Sequence, residues 1–191
     1  MENKKEIRTE RLLLRRLEEE DIQAIYELAQ DPRVGPWAGW KPHESPEETE
    51  RIAQTVFAPS DCFLITEKKT GTILGLTAIE KDRYRPDAAS GEIGYWLGHA
   101  YWGHGYMTEA AEALIRYCFE EKGLAMVGIC TSPLNKRSQR VIEKCGFHYE
   151  GTLRRTYKIY DGSLRDSRIY SMTKEEYEKR RLAAEKGEGD A

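Results

Sequence analysis

The residues with the most chemical content run from Glu92 to Ala111, Glu-Ile-Gly-Tyr-Trp-Leu-Gly-His-Ala-Tyr-Trp-Gly-His-Gly-Tyr-Met-Thr-Glu-Ala-Ala, and pass from a strand pattern through a glycine turn straight into a helix pattern. Gly103 and Gly105 let the backbone turn sharply and approach a ligand closely, because glycine carries no Cβ. The first amides of a helix starting near Met107 have no partner within the helix and lie at the positive end of its dipole. An anion fits there, although Gly-x-Gly alone also serves as a plain strand-to-helix turn. Two other phosphate loops fail on spacing. There is no Gly-x4-Gly-Lys-Ser/Thr, and Thr108 stands where the dinucleotide fingerprint needs its third glycine.

The elements that must position this turn follow from periodicity and punctuation. Arg8 to Leu17 reads as a first strand, and Glu18 to Gln30 carries Ile22, Ile25, Tyr26, Leu28 and Ala29 at helical spacing before Asp31-Pro32 stops it. Val34 to His43 holds too many breakers for a long element, while Trp37 and Trp40 suggest that it lines a site. Ser45-Pro46-Glu47-Glu48 opens a second helix to about Phe57 with a capping box. Asp61 to Lys69 and Thr72 to Lys81 form a hairpin around Thr70-Gly71, the loop Asp82 to Ala89 follows, and Gly91 to Gly98 is the next strand. A helix from Met107 to Glu120 ends at Gly123, Leu124 to Thr131 is a buried strand, and Asn135 to Cys145 is a basic helix closed by Gly146. Phe147 to Met172 is a hairpin hinged at Asp161-Gly162, and a last helix spans Thr173 to about Ala184. This order specifies an α+β fold, a mixed sheet with helices packed on it. Residues 1–182 form one domain and 183–191 a frayed tail.

Composition bounds the partners. With 39% hydrophobic and 33% charged residues, the 191-residue chain is polar but able to fold, and an ordinary domain of this length buries about 70% of its unfolded surface. Thirty basic against thirty-three acidic side chains leave a formal charge of −3, which offers no general footprint for nucleic acid or anionic membrane. The longest apolar runs, such as Cys62-Phe63-Leu64-Ile65, fall far short of the roughly 20 residues of a bilayer span. The N-terminal residues carry no apolar signal core, so a cytoplasmic protein is expected. Cys62, Cys118, Cys130 and Cys145 show no CxxC spacing, the four histidines match no zinc spacing, and no metal is expected.

The stretch beginning at Ile93 resembles the pyrophosphate-binding motif of the GNAT acyltransferases. Its form is that of the branch that acetylates N termini of ribosomal proteins, Ile-Gly-Tyr-Trp-Leu followed by Trp-Gly-x-Gly-Tyr-x-Thr-Glu-Ala. Thr9-Glu10-Arg11-Leu12-Leu13-Leu14-Arg15 resembles the family's first strand, and Asn135-Lys-Arg-Ser138 running on to Glu143-Lys-Cys-Gly-Phe147 its second cofactor segment, so roughly Arg8 to Met172 is covered. The resemblance implies the GNAT fold, a mostly antiparallel central sheet of about seven strands with helices on both faces, and acetyl-CoA as acyl donor. It also implies that Trp96, Leu97 and Gly98 meet the pantetheine arm. By the same likeness Gly103, His104, Gly105, Tyr106, Met107 and Thr108 hold the diphosphate, and Asn135 with Ser138 lies near the thiol.

Acetyl transfer to an amine needs the amine neutral, and a lysine amine titrates near 10.4 against about 7.7–8.0 for an α-amine. Glu92, at the start of the arm-binding strand, is the expected base, directly or through water. Ser138 is the expected acid, because Ile142 occupies the position at which many GNAT enzymes carry a tyrosine. The backbone N–H of Leu97 is the expected oxyanion donor. Trp37, Trp40, His43 and Tyr157 form a candidate acceptor pocket, with Tyr157 standing where some of the ribosomal branch carry glutamate. Lys136, Arg137 and Arg140 flank the second cofactor segment and suit a phosphate. The resemblance implies a primary amine as acceptor, of a protein N terminus or a small molecule, and a monomer or homodimer is expected. A binding protein that keeps the acyl-CoA cleft for sensing is the alternative from a different class.

Overall fold

The computed structural model describes residues 5–57, 60–85 and 89–188. One eight-stranded sheet is built from β1 (Ile7–Arg8), β2 (Leu12–Arg15), β3 (Asp61–Glu67), β4 (Ile73–Lys81), β5 (Ser90–Leu97), β6 (Met126–Thr131), β7 (His148–Lys158) and β8 (Leu164–Thr173). Its order is β1-β2-β3-β4-β5-β6-β8-β7, and every neighbouring pair is antiparallel except β5–β6. The helices are α1 (Ile22–Ala29), α2 (Gly35–Ala38), α3 (Pro46–Ile52), α4 (Tyr106–Arg116), α5 (Lys136–Lys144) and α6 (Lys174–Glu188). None of them, among the described residues, is long and apolar enough to cross a membrane.

Strand alternation sorts the core into two layers. Phe63, Ile65, Ile93 and Leu97 face Ala110, Leu114 and Ile115 of α4, Ile142 of α5 and Tyr177 of α6. Cys62, Leu64, Leu76 and Ala78 face Ile25 of α1, with Phe57 and Trp96 packed at the margin. The helices therefore cover both faces, as the resemblance implies.

Local signals place most elements within a few residues. Ser45 Oγ accepts the Glu48 N–H at 3.2 Å and caps α3, but the Glu48 carboxylate reaches back to the N–H of Glu44 rather than to the cap itself. Three features differ from the sequence reading. The first strand is two, β1 and β2, because the chain turns at Thr9–Arg11 where Thr9 Oγ1 and the Arg11 N–H both bond Glu109; this makes eight strands rather than about seven. The breaker-rich segment contains the helical turn α2, with Pro36 in its first turn and Gly39 at φ +97° ending it. The last helix continues through residues 183–188, read from sequence as tail, while 189–191 lie outside the described residues, as do 86–88 of the loop before β5.

β4 and β5 run so close that a Cβ on Gly75 would lie 2.2 Å from the Trp96 carbonyl oxygen and 2.7 Å from Leu97 Cα. Gly75→Ala is expected to cost about 1–3 kcal/mol of stability through this overpacking, read by denaturant unfolding.

Candidate active site

β5 and β6 part company partway along. Their parallel pairing covers only Ser90–Met126, Gly91–Val127 and Glu92–Gly128, after which β5 stays with β4 and β6 with β8. The Gly98 N–H bonds the Leu74 carbonyl at 2.9 Å. By the alternation of an antiparallel ladder, Trp96 and Gly94 also bond toward β4, while Tyr95 and Leu97 turn their backbone groups into the gap. Trp102 Nε1 takes the Leu97 carbonyl at 2.9 Å, which leaves the N–H groups of Tyr95 and Leu97 facing open space. A cleft of about 820 Å³ runs through this gap and reaches both faces of the sheet.

At one end of the cleft lies the glycine turn. Gly103 and Gly105 adopt φ +82° and +80°, and α4 starts immediately afterwards at Tyr106. The turn is bolted from a distance by Arg11. Its Nε donates to Glu109 Oε2 at 2.6 Å, its Nη1 donates to the His104 carbonyl at 3.0 Å, and its guanidinium lies 4.6 Å from the Tyr106 ring centroid. Thr9 Oγ1 and the Arg11 N–H share Glu109 Oε1. Engaging the His104 carbonyl from outside turns the following N–H groups toward the cleft. Sequence reasoning noted both Thr9-Glu10-Arg11 and Thr108-Glu109 but not that they touch, since they are 98 residues apart.

Of the residues expected at the cofactor, Trp96, Leu97, Gly103, Gly105, Tyr106, Met107, Thr108, Asn135 and Ser138 line the cleft, and Gly98 and His104 do not. A Cβ on Gly98 would meet Leu28 Cδ2 at 2.7 Å, so this glycine serves the approach of α1. Trp96 contributes its ring to the opposite face, because its N–H belongs to the ladder with β4. Asn135 Oδ1 accepts the Ser138 N–H at 3.1 Å and caps α5. Ser138 Oγ lies 3.1 Å from the Tyr95 hydroxyl, whose titration burial pushes above its ordinary range. On α5, Arg137, Arg140 and Lys144 line the cleft at helical spacing, with Arg137 stacked 5.0 Å from the Trp102 ring. Lys136 turns to Gln139 instead, and Lys144 was missed because a helix face is read only once the helix is placed.

The other face holds the expected acceptor residues. Trp40 packs edge-on to Trp96 at 5.6 Å and lies 5.1 Å from His43. Trp37, on α2, is 42% exposed at the cleft. Tyr157 lines the cleft and also acts as a strut: its hydroxyl donates to the Ala38 carbonyl at 3.0 Å, and a Cβ on Gly39 would lie 2.4 Å from its ring. With Arg165 donating to the Pro36 carbonyl and Tyr160 N–H to the Gly39 carbonyl, it ties α2 to the β7–β8 hairpin.

Glu92 is 5% exposed beside the last β5–β6 pair. Arg83 Nε donates to its Oε2 at 2.8 Å and the Cys130 thiol to its Oε1 at 3.2 Å. Asp82, accepting the N–H groups of Tyr84 and Arg85, shapes the loop that presents Arg83. Burial works against the Arg83 charge and the Glu92 carboxylate outweighs it, so the guanidinium is held charged above its ordinary range. Directly across the ladder from Glu92 stands Glu80, exposed and lining the cleft, a second carboxylate that sequence reasoning passed over. All four thiols are pushed up to about 12 by burial, which suits packing and not nucleophilic attack.

The acetyltransferase (GNAT) domain model matches residues 11–148. The chain belongs to the GNAT acetyltransferase family. It is an N-acetyltransferase that moves acetyl groups to amines. Among its relatives is uncharacterized N-acetyltransferase p20 of Bacillus licheniformis, 30% identical over 88% of this chain and 96% of that protein. [Ribosomal protein uS5]-alanine N-acetyltransferase of Escherichia coli is 33% identical over 42% of this chain and 41% of its own length. The crystal structure of a GNAT-family acetyltransferase from Bacillus anthracis superposes with a TM-score of 0.80 at 26% identity, covering 90% of this chain and 99% of that one. Within the family this acetyltransferase resembles the ribosomal-protein N-terminal branch.

Arg11→Gln is expected to weaken binding of CoA about tenfold and to leave binding of pantetheine, which lacks the diphosphate, unchanged; calorimetric titration of both reads the difference.

Proposed function

We propose that this acetyltransferase takes its acetyl group from acetyl-CoA and passes it to the α-amine of a peptide N terminus by direct attack in a ternary complex. The observation that carries the reading is the free edge of β5, which leads from the glycine turn to the Glu92–Gly128 pair. The diphosphate lies on the Gly103–Thr108 turn with Arg137, Arg140 and Lys144 beside it, and the arm runs along β5 so that its thioester reaches the inner end of the gap. No metal is needed for this reaction.

The N–H groups of Tyr95 and Leu97 supply the oxyanion donors, in a site where fixed dipoles need no reorganisation. Ser138, aligned by Tyr95, gives a proton to the leaving thiolate. The amine arrives on the Trp40 and Trp96 face, where Glu92, locked to Arg83, and Glu80 draw the ammonium in. An α-amine is partly neutral near pH 7 and a lysine amine scarcely so, which favours the former. Likeness to a [ribosomal protein uS5]-alanine N-acetyltransferase supports a protein acceptor. Cytoplasmic location follows from such a substrate.

Thiol release from acetyl-CoA, measured with alanine- and serine-initiated peptides beside polyamines and amino acids, tests the acceptor; faster turnover of the peptides is expected. Turnover confined to small amines overturns the peptide reading, and tight binding without any turnover favours the sensing alternative. Gly105→Glu is expected to abolish acetyl-CoA binding, because a side chain at φ +80° is strained and its carboxylate faces the diphosphate.

A further inference from the structure

His43 is 7% exposed and borders the cleft. Its backbone N–H is tied to the Ala29 carbonyl of α1 at 3.2 Å, and its ring lies against Trp40, which in turn meets Trp96 of β5. Nδ1 lies 2.8 Å from Thr49 Oγ1, and that hydroxyl donates to the Ser45 carbonyl at 3.2 Å. The Thr49 proton can lie on the Ser45 carbonyl or on Nδ1, and where it lies on Ser45 the ring donates at Nδ1. That tautomer leaves Nε2 with a lone pair.

Nε2 has no partner among the described residues. Yet the only side-chain polar atom there that is both closed off and unpartnered is Tyr170 Oη, so Nε2 reaches open space, and the open space that His43 borders is the cleft. A nearly buried imidazole thus presents an unengaged ring nitrogen to the acceptor face, and in the Nδ1–H tautomer that nitrogen is an acceptor. Glu92, by contrast, has both oxygens engaged by Arg83 and Cys130. Imidazole also lies nearer than a carboxylate to the pKa that suits a base at neutral pH.

We propose that His43 holds its ring proton at Nδ1 and that its Nε2 is the group that takes the proton from the acceptor amine. This rests on the acetyl transfer described above and names the base within it. The ammonium gives one proton to Nε2; the freed nitrogen lone pair forms the C–N bond; the C–S bond then breaks with its electrons on sulfur. The second proton leaves nitrogen as the amide forms and balances the proton that the thiolate takes up. The imidazolium returns its proton to solvent through the cleft. Burial holds His43 below its ordinary value of 6.5, and the charged groups that bear on the ring are Glu48 of α3, favouring protonation, and Lys41 of its own segment, opposing it. Activity should accordingly fall as pH drops through a value below 6.5, where Nε2 fills.

The first test is nitrogen-15 NMR of the histidine-labelled protein, with His43 assigned by His43→Asn. The expected result is an Nδ1–H tautomer that titrates below 6.5; an Nε2–H tautomer overturns the proposal. The second is the pH profile of kcat/KM for an alanine-initiated tetrapeptide amide. His43→Asn should lose about 100-fold near pH 7, lose the acid limb and keep its acetyl-CoA affinity. A uniform loss with the limb retained, or a limb that disappears in Glu92→Gln instead, overturns it. Because the NMR measurement needs no acceptor, failure of the peptide to react counts against the acceptor reading while the tautomer still decides the role of His43.

Discussion

The whole site depends on one broken ladder. β5 and β6 hold three parallel pairs and then separate, β5 staying with β4 and β6 with β8. An interior strand edge with unpaired N–H groups is costly unless something pairs with it. Here the cost is offset by a partner that comes and goes, an extended ligand lying where a strand would. The helices follow from this opening: α4 begins where β5 ends, and α5 begins where β6 ends, so both present their positive N-terminal ends at the same gap.

The gap also divides the chemistry. On the α4 side the walls are glycine backbone, basic residues of α5 and the Tyr95–Ser138 hydroxyl pair, suited to an anionic cofactor and a leaving thiolate. On the α1 side they are aromatic rings, a buried histidine and two carboxylates, suited to an incoming amine. Each side is held by ties between distant parts of the chain. Arg11 and Glu109 fix the turn, while Tyr157, Arg165 and Tyr160 fix α2 over the acceptor face.

What could be read from sequence is what short-range rules control. The glycine turn, the Ser45 cap and the Asp161-Gly162 hinge are all set by residues within four positions of one another, and all are found where expected. The division of the first strand was illegible because its cause, Glu109, lies a hundred residues downstream. The pairing of Glu92 with Arg83 depends on how the β4–β5 loop folds back, and the role of Tyr157 as a strut depends on a contact spanning 119 residues. Ser138 was read from a motif, but the hydroxyl that aligns it comes from another strand. His43 was placed with the acceptor residues from its neighbours; its free nitrogen emerged only with Thr49 and Ser45 in position.

The free edge of β5 is the claim on which the others stand. Amide hydrogen exchange of Tyr95 and Leu97, followed with and without acetyl-CoA, addresses it directly. The account predicts that both amides exchange fast in the free protein and become protected when acetyl-CoA binds, while Gly94 and Trp96, already paired with β4, change little. Acetyl-CoA bound tightly with Tyr95 and Leu97 still unprotected would contradict it.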